Sequence, residues 1–285
     1  MKLIINADDA GIDCSRNRGI FEAIDGGLVK SISVIVCQGG WDNIIERLQG
    51  RKDIGAGLHV NLTAGRPLLD GHRTLVKDDG CFYNKFDLFK RAMAGLIDAD
   101  EVAREFETQW NTFIKTGLKP SHVDGHNHVH LLPGAREGFM KVIPKKMWVR
   151  LPFEKNHQCV DPSGFVTAKI FDDTDSFIGV TNYLSLQAKK IWKRRFQYLD
   201  DFRGSKITAY PSLAAFKKAI CEFSGDICEL MCHPGFESDG DSVPFSRLKE
   251  RQLELKLLTS DELKDFIKKN KIKIISYKNL AQTTD

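Results

Sequence analysis

Leu3-Ile4-Ile5-Asn6-Ala7-Asp8-Asp9-Ala10-Gly11 opens the chain with an apolar run that stops in a polar turn, the pattern of a buried strand. The neighbouring segments repeat the theme. Asp13 or Ser15 can cap a helix running to about Gly26, with Ile20, Phe21 and Ile24 at core spacing. Ser31 to Cys37 (SISVIVC) is a second β-branched run, and Trp41 to Leu48 reads as a second helix. Gly55 to Thr63 (GAGLHVNLT) is a third strand that also ends polar, with His59 and Asn61 on one face.

Further along, residues 64–95 break the alternation with Pro67, several glycines and an Asp78-Asp79-Gly80 turn, then a short helix near Phe86 to Met93. An excursion of that length reads as a functional loop or lid. Asp98 to Thr116 is helical, with Val102, Phe106, Trp110 and Phe113 on one stripe and Gly117 closing it. Trp148 to Phe153 (WVRLPF) is a fifth strand candidate. Residues 154–180, with Asp172, Asp173 and Asp175, read as a polar surface excursion. Helices are expected over Thr181 to Tyr198, Leu213 to Phe223, about Phe245 to Leu258, and Ser260 to Asn270. Strands are expected at Ile227 to Cys232 (ICELMC) and Ile272 to Ser276. Strands thus alternate with helices at least six times. The spacing predicts an α/β fold with a mainly parallel sheet, closed as a barrel or open, in a single domain over residues 1–285.

Bulk properties exclude several classes. Hydrophobic residues make up 42% and charged residues 28%, ordinary for a folded globular chain. Lys plus Arg number 42 against 38 Asp plus Glu, so the net charge of +4 gives no reason to expect a nucleic-acid partner. The basic run at Lys189, Lys190, Lys193, Arg194 and Arg195 reads as a solvated helix face. Seven scattered cysteines suit reduced thiols better than a disulfide framework. No apolar run reaches a membrane span, and the N-terminus is too short for a signal h-region. A cytoplasmic protein with no membrane partner is expected; oligomeric state is not legible.

The chemistry concentrates where strands end. Ser121 to Gly134 (SHVDGHNHVHLLPG) holds four of the eight histidines, His122, His126, His128 and His130, beside Asp124. Imidazoles this dense usually include one that binds a metal or moves a proton. His122 and His130 are expected only to bond to backbone. Asp8-Asp9, His59, His126 and His233 each follow the apolar body of a strand, where α/β folds place their active sites. Singly, each has a plain structural explanation: a helix cap for the aspartates, a core histidine for His59, a turn residue for His233. Their coincidence carries the argument. Asp9, His59 and His126 give a three-ligand open site for one divalent metal ion, zinc or magnesium being favoured. Asp8 is placed to act as base, His233 as acid, and Arg150 to hold Asp8 ionised and oriented, which together describe hydrolysis of an amide or ester.

Several of these segments carry a resemblance. INADDAG at Ile5 to Gly11, GLHVNLT at Gly57 to Thr63, KPSHVDGHNHVHLLPG at Lys119 to Gly134, ELMCHPGF at Glu229 to Phe236 and ISYKNL at Ile275 to Leu280 resemble the YdjC-like carbohydrate deacetylases. They follow that family's order across nearly the whole chain. The resemblance implies a (β/α) barrel-like fold, akin to the polysaccharide deacetylases, that removes acetyl groups from N-acetylated amino sugars with a divalent metal. It implies Asp9, His59 and His126 as ligands, Asp8 as base and His233 as acid. Ala10 departs from the pattern, standing where the family has an aromatic residue beside the metal site, which bears on the shape of the substrate pocket. Asn127 and His128 contact sugar or brace the ligands. A metal-dependent phosphoesterase would want more ligands, and no histidine precedes His59. A silent carbohydrate-binding protein of the same fold would not need Asp8, Asp9, His59, His126 and His233 all intact.

Overall fold

The computed structural model describes residues 1–36, 38–162, 173–199, 201–236 and 248–281. Its strands are β1 (Lys2–Ala10), β2 (Ser31–Val34), β3 (Gly55–Val60), β4 (Val123–Gly125), β5 (Asp201–Arg203), β6 (Ile227–Cys232) and β7 (Lys273–Ile275). They order as β4-β3-β2-β1-β6-β5, with β7 on β1. The pairings of β1 with β2, β6 and β7, of β3 with β4, and of β5 with β6 are all parallel. This is an α/β fold with a mostly parallel sheet, as the alternation predicts. By contacts it divides into two compact units: Met1–Gly57 with Lys119–His122 and Leu199–Asp285, and Leu58–Leu118 with Val123–Tyr198.

In the first unit β1 is central. Every residue from Leu3 to Ala10 is buried, the continuous burial of a parallel strand covered on both faces. The apolar run ends at Ile5, yet the strand continues to Ala10. Asn6 can stay inside because its amide donates to Asp8 Oδ1 (2.7 Å) and Ser33 Oγ (2.8 Å). Between Ala7 and Ala10 the register against β2 shifts, so Asp8 and Asp9 together oppose the single Ser33. Helix α1 (Cys14–Asp25) comes next, capped by Asp13, whose carboxylate accepts from Arg16 N. Helix α2 (Trp41–Leu48) has the predicted bounds.

The second unit is built on α4 (Ala99–Lys115), capped by Asp98. Its buried stripe includes Val102, Phe106 and Phe113, as the spacing predicts, with Trp110 only half-buried, and also Glu101, Glu105 and Gln109. These polar residues fasten the excursion. Glu105 accepts from the backbone N–H of Leu68 and Leu69 and lies 3.2 Å from His72 Nε2, while Glu101 accepts from Arg73 and Thr74. Gln109 bonds both N and O of Asn61 at the end of β3. Helices α3 (Lys85–Met93), α5 (Ala135–Val142) and α6 (Thr174–Trp192) complete this unit among the described residues.

Other expectations need correction. Trp148–Phe153 makes only isolated bridges, Val149 to Val123 and Trp148 to Gln197, because Pro152 lacks the N–H that a continuing ladder needs. Helix α6 starts at Thr174, not Thr181, since Asp173 caps it by accepting from Ser176 N. Asp172, Cys37 and the expected helix start at Phe245 lie outside the described residues. Strand β5 was not expected: Asp-Phe-Arg lacks an apolar run, and it is buried because Arg203 and Asp201 pair at 2.6 Å. In the first unit come α7 (Ser205–Ala209), α8 (Leu213–Cys221), α9 (Leu248–Thr259), α10 (Asp261–Lys269) and α11 (Tyr277–Ala281). No disulfide links the described cysteines, and none of the described helices is long and apolar enough to cross a membrane.

Candidate metal centre

The first unit holds the two aspartates. Side chains alternate across a strand, so adjacent residues would face opposite ways; the bulge at Asp8-Asp9 breaks that alternation. Asp9 takes a left-handed φ of 66°, a region that aspartate tolerates better than most residues. Its Oδ2 lies 2.5 Å from Arg251 Nη2, and both side chains are buried. Asp8 Oδ1 accepts from Asn6.

His233 directly follows β6 and is half-buried, with Nδ1 3.0 Å from Thr208 Oγ1. Its backbone N–H donates to Glu254 Oε2 at 2.6 Å. Glu254 is fully buried, and its Oε1 has no hydrogen-bond partner among the described residues. Burial pushes its carboxyl up to about 7, helped by the charges of Asp8 and Asp9 and opposed by the His233 N–H and Arg251. The Pro234-Gly235 turn is seated against α1, where a Cβ on Gly19 would sit 2.6 Å from Gly235 Cα.

The second unit holds the histidines. The β3–β4 register places His59 beside Asp124, and His59 Nδ1 lies 2.7 Å from Asp124 Oδ1. Asp124 Oδ2 in turn pairs with Arg150 Nη1 at 2.7 Å, and neither side chain is exposed. With Nδ1–H donating to Asp124, the His59 lone pair sits on Nε2, as a metal-binding histidine requires. The rings of His59 and His126 are 5.6 Å apart. Buried histidines and aspartates of this chain could hold a metal ion.

His126 opens a 3₁₀ segment, His126–Leu131, in which Asn127 and His128 adopt φ of 52° and 57°. His130 Nε2 lies 3.1 Å from the Arg150 carbonyl, as expected of a backbone-bonded residue, and burial pushes its pKa down to about 4. His122 instead meets two hydroxyls, Ser33 and Ser121. His128 is held well below the usual histidine range by burial and then by the Arg150 charge, and stacks on Phe177. Asn127 donates to Thr63 Oγ1. Thr63, Lys85, Phe89, Asn127, His128 and Phe177 help line an open recess.

The match to known proteins spans this whole arrangement. A model of the YdjC-like protein family fits residues 2–269. The chain belongs to the YdjC-like family. Carbohydrate deacetylases are among its relatives. One from Homo sapiens is 30% identical over 93% of this chain and 86% of its own, and one from Brevibacillus brevis is 28% identical over 99% and 100%. A crystal structure from Enterococcus faecalis, of a protein whose name refers to cellobiose-phosphate cleavage, has the same fold. It matches with a TM-score of 0.74 at 22% identity over 98% of both chains.

Reading the YdjC-like chain by sequence passed over Asn6, Arg251 and Glu254. Asn6 looked like part of a turn. Arg251 and Glu254 lie in a helix rich in Lys and Glu, where nothing local separates an inward charge from a solvated one; only their three-residue spacing, which puts them on one face, was a signal.

Proposed function

We propose that the chain is a metal-dependent deacetylase that removes the N-acetyl group from an N-acetylglucosamine-type sugar or short oligosaccharide, with residues 1–285 acting as one catalytic domain. Asp9, His59 and His126 are the ligands of one divalent cation, zinc or magnesium. What supports this reading is that all three are buried and each lies at or just after the end of a strand. Two imidazoles and a carboxylate suit zinc and leave a position for water.

When bound, the cation polarises the amide carbonyl and acidifies water. Asp8, oriented by Asn6, takes the proton of the attacking water. His233, whose Nδ1 faces Thr208, presents Nε2 to protonate the leaving nitrogen as the C–N bond breaks, releasing acetate and the free amine. Arg150 acts through Asp124, keeping that carboxylate ionised against His59.

The test is acetate release from a panel of N-acetylated mono- and oligosaccharides by metal-reconstituted protein. Asp8→Asn should keep the metal and lose turnover, and His126→Ala should lose the metal. Wild-type activity in the first variant, or undiminished metal affinity in the second, refutes the corresponding assignment.

A further inference from the structure

We infer that Tyr210 is a specificity-determining residue, the platform on which one ring of an N-acetylated oligosaccharide stacks while the neighbouring ring loses its acyl group. This rests on the deacetylase reading and deepens it.

The chemistry of that reaction divides the substrate in two. The acyl carbon belongs with the cation and the attacking water, whereas the nitrogen that His233 protonates belongs to the sugar. A side chain that the fold places around His233 therefore meets carbohydrate, not acetate. Within the first unit, α7 is tied to His233: Thr208 Oγ1 lies 3.0 Å from His233 Nδ1. Tyr210 follows Thr208 by two residues, so their Cα atoms are at most ~7 Å apart.

Tyr210 is 71% exposed, the most exposed large hydrophobic side chain among the described residues. A single exposed ring is ordinary on a protein surface and by itself indicates nothing. This one is exposed and also fixed at its backbone. Its N–H donates to the Lys206 carbonyl at 2.9 Å, closing α7, and the buried Pro211 after it keeps its backbone out of the helical region, at φ −140° and ψ 66°. A tyrosine has few side-chain torsions left to order, so the ring offers a wide contact face at small entropic cost. The C–H face of a pyranose is the apolar surface that such a ring covers. His233 is half-buried whereas Tyr210 stands in solvent, which suits the sugar residue next to the one held by its amide. Phe236 gives the contrast. It lies three residues after His233, but it is half-buried and the Arg18 guanidinium covers its ring, with Cζ 4.5 Å from the centroid.

The experiment measures kcat and KM for acetate release from an N-acetylglucosamine monosaccharide, disaccharide and trisaccharide by metal-reconstituted wild type, Tyr210→Ala and Tyr210→Phe, with urea unfolding of each. Tyr210→Ala should raise KM for the disaccharide and trisaccharide about three- to tenfold at little-changed kcat, the signature of binding lost equally from ground and transition states. The monosaccharide KM, or its inhibition constant where it is not turned over, should stay within about twofold. Tyr210→Phe keeps the ring and should stay within about twofold of wild type on every sugar, and neither substitution should move the unfolding midpoint. An unchanged disaccharide KM in Tyr210→Ala overturns the inference. So does an equal loss on monosaccharide and oligosaccharides, or a loss confined to kcat, since either makes Tyr210 a support of the His233 turn instead. Tyr210→Phe as impaired as Tyr210→Ala overturns it too. Wild type that releases acetate from none of the three sugars defeats the deacetylase reading; wild type that releases it, with Tyr210→Ala unimpaired, defeats the inference alone.

Discussion

Replacing Glu254 with Gln should make the protein more stable at pH 8 and leave it unchanged near pH 4. Glu254 is fully buried, with its carboxyl pushed up from 4.5 to about 7. A group whose folded pKa lies above its unfolded value contributes stability that is fully present below the unfolded pKa and lost as pH rises through the folded one. The window is therefore about pH 4.5 to 7. Across it, at ~1.4 kcal/mol per unit of difference, the wild type should lose about 3 kcal/mol through this residue. Glutamine mimics the protonated carboxyl, since its carbonyl can still accept from His233 N–H, and it never charges. Urea unfolding of chelator-treated wild type and variant at half-unit steps should show a difference near zero below pH 4.5 that grows to about 3 kcal/mol by pH 8. A constant difference across that range, or a variant less stable at pH 8, refutes the claim that burial holds Glu254 neutral.

Asp124→Asn should raise the metal Kd on the order of tenfold or more, since it weakens the group that fixes the His59 tautomer; isothermal titration reads this, and an unchanged Kd separates Asp124 from metal binding. Gly19→Ala puts a Cβ 2.6 Å from Gly235 Cα, and since backbone must move, the His233 turn should shift and lower kcat about 10–100-fold with the metal Kd unaltered. Glu105→Ala strips the partners of Leu68 N and Leu69 N and should cost at least about 3 kcal/mol in urea unfolding; a loss under about 1 kcal/mol shows that α4 does not fasten the excursion.

What was legible in the sequence depends on the physics of each segment. Trp41–Leu48 and Ile227–Cys232 were placed to the residue, because an amphipathic period and a buried β-branched or apolar run are local signals. Strand β5 escaped notice because it has no apolar run: Asp201 and Arg203 stay buried through each other, through Ser224 and through the carbonyls of Phe202 and Glu222, partners the local sequence does not announce. The buried Glu101, Glu105 and Gln109 repeat every fourth residue, and in the sequence that stripe reads as a wet face. The candidate site divides the same way. Strand-end positions pointed to Asp8, Asp9, His59, His126 and His233, whereas Arg251 and Glu254, on a helix remote in sequence, needed coordinates. Arg150 was expected to hold Asp8, and its pairing with Asp124, a residue distant in sequence, leaves no local mark in the sequence.

Among the described residues, a buried arginine pairs with each of two strand-end aspartates, Arg251 with Asp9 and Arg150 with Asp124. Buried ion pairs are poor stabilisers: the cost of removing both charges from water often matches the attraction between them, and apolar side chains of similar volume usually serve the core as well or better. A fold selected for stability alone has little need of such pairs. What an arginine does better than an apolar side chain is keep a carboxylate charged and aimed in a place without water. Under the proposed reading, a carboxylate kept charged in this way would serve a bound cation. The arginines therefore bear on function more strongly than on folding. Replacing either with an apolar residue of similar size tests chemistry and stability as separate quantities, and on this reasoning metal affinity should fall further than unfolding free energy.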